Sequence, residues 1–245
     1  MIRTTVAVIA MSILIFSCSR KQKPNSNNHE NKMENVETNQ VYEIAIYQIK
    51  DEVHEFKRIH SGALDHLSSY QGFIDSKSYE NINNPNMYMD MVLWESIEQA
   101  KNAQEKFEQG STQVVGEFLS SMNAPIFFDH VKVLENGNLK FREVEENGIL
   151  EFASFHINSG ALEQFNKDRM NMMNYIGENY SNFKQVKTVQ SIADKTLIID
   201  IAHWGSATEC HKAQQELEQH ELFLQFASSF DPNKEMMMEF FKQIR

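Results

Sequence analysis

Two stretches of this 245-residue chain pair an acid with an indole at one spacing: Asp90-Met91-Val92-Leu93-Trp94 and Asp200-Ile201-Ala202-His203-Trp204. Side chains alternate along a strand, so residues two and four apart share a face. Tyr88, Asp90, Val92 and Trp94 then form one row, with Met87, Met89, Met91 and Leu93 behind them. Ile198, Asp200, Ala202 and Trp204 form the matching row in the second stretch. Each Asp is the single charge in an otherwise apolar row. A carboxylate so placed must be paired, hydrogen-bonded or protonated, because isolated burial of a charge is costly. Two readings follow. In one, desolvation raises the carboxyl pKa and makes Asp90 or Asp200 a general acid or base, beside an indole that stacks a planar ligand. In the other, the Asp accepts hydrogen bonds from a neighbouring strand, a helix N-terminus or a Tyr, and the Trp packs between sheet and helix.

Around these pairs, Tyr88, Gln104, Gln214 and His156 are candidate ligand contacts. Gln104 and Gln214 recur at matching places and read equally as solvated or capping residues. His156, His203, His211 and His220 fall in the second half, but none is spaced as a zinc site requires, so no metal is expected. Cys210 has no base and orienting group beside it in sequence and reads as a small core residue. The chain has 9 Gly and no phosphate-binding glycine loop, so a dinucleotide is not expected, and no other cofactor is called for. A net charge of −11 supplies no basic surface to neutralise phosphates, which excludes nucleic acid as an expected partner.

The elements that must position these residues are written twice. Trp94 and Trp204 lie 110 positions apart, and Tyr70/Tyr180, Phe73/Phe183, Asp90/Asp200, Ser96/Ser206, Ala103/Ala213, Gln104/Gln214 and Glu108/Glu218 agree at the same offset. Glu43/Glu151, Ala45/Ala153 and Ile49/Ile157 agree at 108. A period this long indicates duplicated domains rather than a solenoid. Residues 41–50 and 149–158 read as strands, and 53–70 and 160–180 as amphipathic helices. Residues 74–81 with 87–94, and 184–192 with 196–204, read as hairpins turning at Asn83-Asn84-Pro85-Asn86 and Ala193-Asp194-Lys195. A second helix starts after each Trp, with Ser96 and Ser206 placed to cap it. Residues 127–134 and 236–244 read as closing strands, and 138–146 as a polar linker. The predicted fold class is α+β: two tandem ferredoxin-like βαββαβ domains, at 41–135 and 149–245, joined by a linker at 136–148. Each such sheet leaves one face bare, and the other copy is its natural cover.

The motif residues 90–96 and 200–206, a strand ending in Trp followed by a Ser-started helix containing Ala, resemble the antibiotic biosynthesis monooxygenase domain of the dimeric α+β barrel superfamily. The likeness extends over both copies. Members of that family usually pair as two chains, so the resemblance implies that this chain builds the barrel alone, as a monomeric pseudo-dimer. It further implies a cofactor-independent monooxygenase acting on a small aromatic or quinol-type ligand, with Asp90, Trp94, Asp200 and Trp204 as pocket residues. The sequence departs from the pattern in two ways. Cofactor-free members carry Asn four before this Trp, where both copies here have Asp. They carry a Tyr one and a half turns after it, where Ala100 and Cys210 stand. The haem-degrading branch needs a helix Trp near Ala103 and Ala213, and neither copy has it. The alternative is a non-catalytic ligand-binding or protein-interaction module.

The first forty residues are of another kind. Met1-Ile2-Arg3 followed by the apolar run 6–16 reads as a signal peptide, too short to span a bilayer comfortably. Its end, Leu14-Ile15-Phe16-Ser17-Cys18, resembles a bacterial lipobox, which implies lipidation of Cys18 at the end of a 1–18 signal. Several acyl chains on one residue anchor stably to a membrane. Residues 19–40 are almost wholly polar and are expected to be a disordered tether. Ser19 after the Cys resembles outer-membrane sorting signals, so the body is expected to sit in the cell envelope, periplasmic or surface-exposed. Cys18 and Cys210 are the two cysteines, which leaves no internal disulfide framework.

Overall fold

A computed structural model describes residues 39–50, 53–110, 112–134, 144–145 and 147–245. The signal, Cys18 and nearly all of the tether fall outside the described residues, as does most of the linker. Among the described residues fourteen elements follow one another, in an order repeated after the linker. The first half is β1 (Val41–Gln48), α1 (Val53–Leu67), β2 (Phe73–Asn81), β3 (Met87–Trp94), α2 (Ile97–Glu108), α3 (Gln113–Ser121) and β4 (Phe127–Val133). The second is β5 (Ile149–His156), α4 (Leu162–Asn179), β6 (Phe183–Ser191), β7 (Leu197–Trp204), α5 (Ala207–Leu217), α6 (Glu221–Ala227) and β8 (Met237–Gln243).

The eight strands close into one antiparallel barrel in the order β1-β3-β2-β8-β5-β7-β6-β4. Within each half the central strands pair over eight positions, from Val41↔Trp94 to Gln48↔Met87 and from Ile149↔Trp204 to His156↔Leu197. The halves are sewn together by two shorter ladders. On one side Tyr79, Glu80 and Asn81 face Gln243, Lys242 and Phe241; on the other Val131, Lys132 and Val133 face Ser191, Gln190 and Val189. The described residues accordingly fall in one compact unit.

The period-2 pattern decides what lies inside. Met87, Met89, Met91 and Leu93 point inward with Tyr42, Ile44, Ile46, Tyr79, Val131, Leu150, Phe152, Val189, Ile199, Ile201 and Phe241. An eight-stranded barrel is just wide enough for its side chains to fill it, so this is a core and not a pore. The opposite rows meet the helices. In the first half Trp94 and Val92 pack with Leu64, Leu67, Ala100 and Ala103, while Tyr88 and Tyr47 pack with Phe56, Ala63 and Phe118. In the second, Trp204, Ala202 and Ile198 pack with Phe165, Met172, Ile176, Cys210, Ala213 and Phe226.

Ser96 and Ser206 cap α2 and α5 by accepting from Gln99 N and Glu209 N. The expected helices 53–70 and 160–180 are shorter at their ends, at Val53–Leu67 and Leu162–Asn179. One element per half goes beyond the expected βαββαβ order. After α2 the chain turns at Gly110, whose φ of 61° suits a residue without Cβ, and restarts as α3 under a Thr112 cap. His220 caps α6 in the same way. Both helices are short and lie beyond the Trp motif that guided the reading, so the pattern merged them into the segment leading to the closing strand.

Barrel closure predicts a concentrated stability cost. Phe241 is wholly buried beside the short β2–β8 ladder. Phe241→Ala is expected to lower unfolding free energy by about 3–5 kcal/mol, the range for emptying a large aromatic site in a packed core. Urea denaturation followed by circular dichroism checks it, and a loss below about 1 kcal/mol would show that the seam is not part of the cooperative core.

Candidate functional site

Asp90 lies in the helix-facing row of β3, beneath α1, with 6% of its surface exposed. Three side chains converge on its carboxylate. The Tyr47 hydroxyl from β1 donates to Oδ2 at 2.7 Å, and the Ser78 hydroxyl from β2 donates to Oδ1 at 2.6 Å. His60 Nε2 from α1 donates to Oδ1 and Oδ2 at 2.9 and 3.1 Å. Burial alone would raise the Asp90 pKa, but the His60 charge and the bonds from His60, Ser78 and Tyr47 outweigh it and hold the carboxyl below its usual range. Burial likewise works to lower His60, and the Asp90 charge and hydrogen bond reverse this, so its net shift is upward. The imidazole packs against the rings of Phe56 and Phe118, whose centroids are 5.4 and 5.9 Å away. The Tyr47 hydroxyl, buried and bonded to a carboxylate, is pushed well above its ordinary pKa. The first-half acid is therefore an ion pair with a full set of donors.

Asp200 occupies the equivalent place in β7, 8% exposed, with different company. Thr188 replaces Ser78 and donates a hydrogen bond to Oδ1. Phe155 stands where Tyr47 stood and brings no hydroxyl, and on α4 the cation is the buried Arg169. Burial is the largest influence on Asp200 and raises it; the Thr188 bond and the Arg169 charge oppose this, Glu151 adds to it, and the carboxyl is pushed up to about 6. One chemical position thus carries a carboxylate fixed in its charged form in one half and a carboxyl that titrates near neutrality in the other.

The indoles lie farther along the same rows and belong to a second pair of arrangements. Trp204 Nε1 donates to Glu151 Oε2 at 2.8 Å, and Gln214 Nε2 donates to Glu151 Oε1 at 2.9 Å. Cys210 Sγ is 3.5 Å from the same acid, and burial followed by the Glu151 charge pushes its thiol far up, so it is no nucleophile. In the first half the corresponding Glu43 bonds His130 Nε2 at 3.0 Å, and the wholly buried Trp94 Nε1 has no hydrogen-bond partner among the described residues. Position 130 corresponds to Phe240 in the second half, which is why Glu151 stays on its Trp while Glu43 turns to His130.

The structure thus joins Gln214 to Trp204 through Glu151, and leaves Gln104 apart, on the exposed face of α2 bonded to Glu108 at 2.7 Å. Tyr88 is buried in the Phe56–Tyr47 aromatic cluster, its hydroxyl raised to about 12, chiefly by burial. His156 sits at the β6–β7 hairpin, 3.1 Å from Thr196 Oγ1 and 3.5 Å from Asp194. No cluster of His, Cys, Asp and Glu among the described residues is arranged to hold a metal. Two concavities, of about 10 Å³ beside Tyr42, Asp75 and Lys77 and about 50 Å³ beside Tyr70, Gln99 and Lys106, are lined by neither Asp. The smaller volume accommodates about one water, against several hundred Å³ for a ligand pocket.

His60, Tyr47, Ser78, Arg169 and Thr188 were not among the sequence-derived candidates. A signal existed for some of them. His60 follows Phe56 by four and precedes Leu64 by four, so it falls on the buried stripe of α1; Arg169 follows Phe165 by four on α4. Ser78 and Thr188 agree at the 110-residue offset as hydroxyl residues.

No family model and no curated protein matches this sequence. Solved structures do match, over nearly the whole barrel. An anthrone oxidase-like protein superposes with TM-score 0.67 at 9% identity, covering 85% of this chain and 93% of that one. A protein provisionally named a monooxygenase, from Lactobacillus acidophilus, gives 0.51 at 9% identity over 84% and 94%. A chlorite dismutase from Candidatus Nitrospira defluvii gives 0.56 at 10% identity over 84% and 92%. The chain therefore shares the dimeric α+β barrel fold of these proteins. Their names describe different chemistries, so the shared fold alone does not choose among them.

The two acids predict opposite mutational behaviour. Asp90→Asn removes the carboxylate that accepts from Tyr47, Ser78 and His60 in a buried site and should cost about 3–5 kcal/mol at pH 7, as removing one partner of a buried pair does. Asp200 binds its proton more tightly folded than unfolded, so its contribution to stability is present below about pH 4 and is lost as pH rises toward 6. Asp200→Asn should remove that loss, gaining up to about 3 kcal/mol on wild type between pH 4 and pH 7. Urea midpoints across this range test both, and equal losses for the two variants at pH 7 would refute the distinction.

Proposed function

We propose that this chain is an envelope-anchored protein in which two ferredoxin-like repeats, 41–135 and 149–245, fused by the 136–148 linker, build the dimeric α+β barrel within a single chain. We further propose that this monooxygenase-like barrel acts as a non-catalytic binding or interaction module. The observation that carries the reading is the filling of the space between sheet and helices. Tyr47, Phe56, His60, Tyr88 and Phe118 occupy it around Asp90, and Phe155, Phe165 and Phe226 occupy it near Asp200. A substrate needs room within about 3–3.5 Å of the reacting group, and both carboxylates are instead spent on protein donors.

One observation favours a second reading. Asp200 titrates near pH 6, the range useful for a general base, and Trp204 lies two strand positions beyond Ala202 on the same row. On that reading the second half is a cofactor-independent monooxygenase for a small aromatic or quinol-type compound, reached when α4 and α6 part from the sheet. Oxygen uptake with a panel of hydroquinones separates the two. The module predicts no uptake above the buffer rate for wild type. Turnover that survives Asp90→Asn and disappears in Asp200→Asn would replace it with the oxygenase.

Lipidation of Cys18, with 19–40 as tether and the outer membrane as anchor site, places the body in the cell envelope. Support comes from the charged start, apolar run, small residue and Cys in sequence. The full chain expressed with labelled palmitate should incorporate label that Cys18→Ser abolishes; equal labelling of both would overturn the anchor.

A further inference from the structure

One methionine on the outside of the barrel touches the polar arrangement around Trp204. In β8, Met237 packs against the barrel core, so Met236 and Met238 on either side of it face outward. Met238 pairs with Ala153 of β5, and Phe240 pairs with Glu151 two positions on. α5 lies over this outer row: the His211 ring is 4.9 Å from that of Phe240, and Gln214 Nε2 donates to Met238 Sδ at 3.3 Å. Both outward methionines reach solvent, Met236 with 56% and Met238 with 48% of the residue exposed. Met87, Met89, Met91 and Met172 are by contrast buried.

The duplicate supplies an internal comparison. Ile126 and Phe128 stand where Met236 and Met238 stand, at the 110-residue offset, and carry no sulfur. Gln104, the counterpart of Gln214, bonds Glu108 instead. In the second half the amide nitrogen that meets Met238 also donates to Glu151 Oε1 at 2.9 Å, and Trp204 Nε1 donates to Oε2 of the same acid at 2.8 Å. An exposed thioether is thus joined to a buried indole through two side chains, in the order Met238, Gln214, Glu151, Trp204.

We propose that Met238 is a site of reversible oxidation by small peroxides, in which Gln214 holds the sulfoxide and passes the change through Glu151 to Trp204. With hydrogen peroxide, the Sδ lone pair attacks one peroxide oxygen and the O–O bond breaks. The departing hydroxide takes the proton from the transferred oxygen and leaves as water. Sulfur gives up two electrons and the peroxide takes them. The product is a polar, chiral sulfoxide in place of a flexible apolar side chain, and its formation can be reversed enzymatically. Thioether sulfur is a weak hydrogen-bond acceptor, and the sulfoxide oxygen is a stronger one, so the donor already set against Sδ gains a better partner on oxidation. Drawing the Gln214 amide toward that oxygen moves the group that orients Glu151, and Glu151 in turn holds the indole. The site uses neither Asp90 nor Asp200, so it stands or falls apart from the function proposed above.

Hydrogen peroxide is the probe, applied to the full chain and followed by peptide mass spectrometry and by the indole N–H resonances of the two Trp, assigned with Trp94→Phe. Met238 should gain one oxygen about tenfold or more faster than the buried Met89 and Met91, and the Trp204 resonance should shift in step with it. Met238→Leu should abolish the peroxide-induced shift. Met170→Leu, which removes a 58% exposed thioether on α4, should keep it. In Gln214→Leu, Met238 should still oxidise and the Trp204 resonance should no longer respond. Methionine sulfoxide reductases for both epimers should restore the starting spectrum. An unmoved Trp204 resonance once wild-type Met238 is oxidised overturns the proposal, as does a shift that persists in Met238→Leu, or a Met238 that resists peroxide while Met170 oxidises.

Discussion

Each half of this protein makes a four-stranded sheet whose inner face is largely apolar, and that surface has no cover of its own. Ile44, Ile46, Met89 and Met91 in one half meet Leu150, Phe152, Ile199 and Ile201 in the other, and all eight are essentially shut off from water. The hydrophobic gain of that contact is what holds two short ladders of three residue pairs each in register. Once the barrel is closed, the outward rows are fixed against their helices, and the positions of Asp90, Asp200, Trp94 and Trp204 follow. Edges that would otherwise invite another chain are also consumed by closure.

Within this frame the halves have diverged in their polar interior more than in their packing. On β3 and β7 the inward Met87, Met89 and Met91 are exchanged for Leu197, Ile199 and Ile201, side chains of similar volume. The buried acids keep their place and change their partners, from Tyr47, His60 and Ser78 to Thr188 and Arg169. Glu43 and Glu151 show the same pattern, one turned to His130 and the other to Trp204. Buried polar groups tolerate such exchange only when each new arrangement remains satisfied, because an unmatched group costs more than a matched pair contributes. Among the described residues, Trp94 Nε1 and the Tyr79 and Tyr88 hydroxyls are where the first half has not fully compensated.

The doubled Asp-x-x-x-Trp therefore has a structural explanation that differs between its two residues. The Trp closes the strand against the second helix, stacking edge-on with Phe73 or Phe183 at 5.9 and 5.1 Å. In the first half the Asp ties its strand to the first helix and to both neighbouring strands, so one carboxylate links four elements. Acid and indole share a face without sharing a ligand-sized space.

The order of strands and long helices, the hairpins, the Ser caps and the two rows of the Asp-bearing strands were legible in the chain. These depend on local periodicity and on side chains three or four residues apart. The repeat at 110 residues also pointed to a barrel, because two bare faces of one kind must cover each other. The ladders β2–β8 and β4–β6, the extra helices α3 and α6, and the partners of each acid were not legible. Tyr47 and Asp90 are 43 residues apart, and Glu151 and Gln214 are 63 apart. Only closure of the sheet sets which side chains meet at such distances, and that meeting decides which acid is locked as a carboxylate and which holds its proton near neutrality.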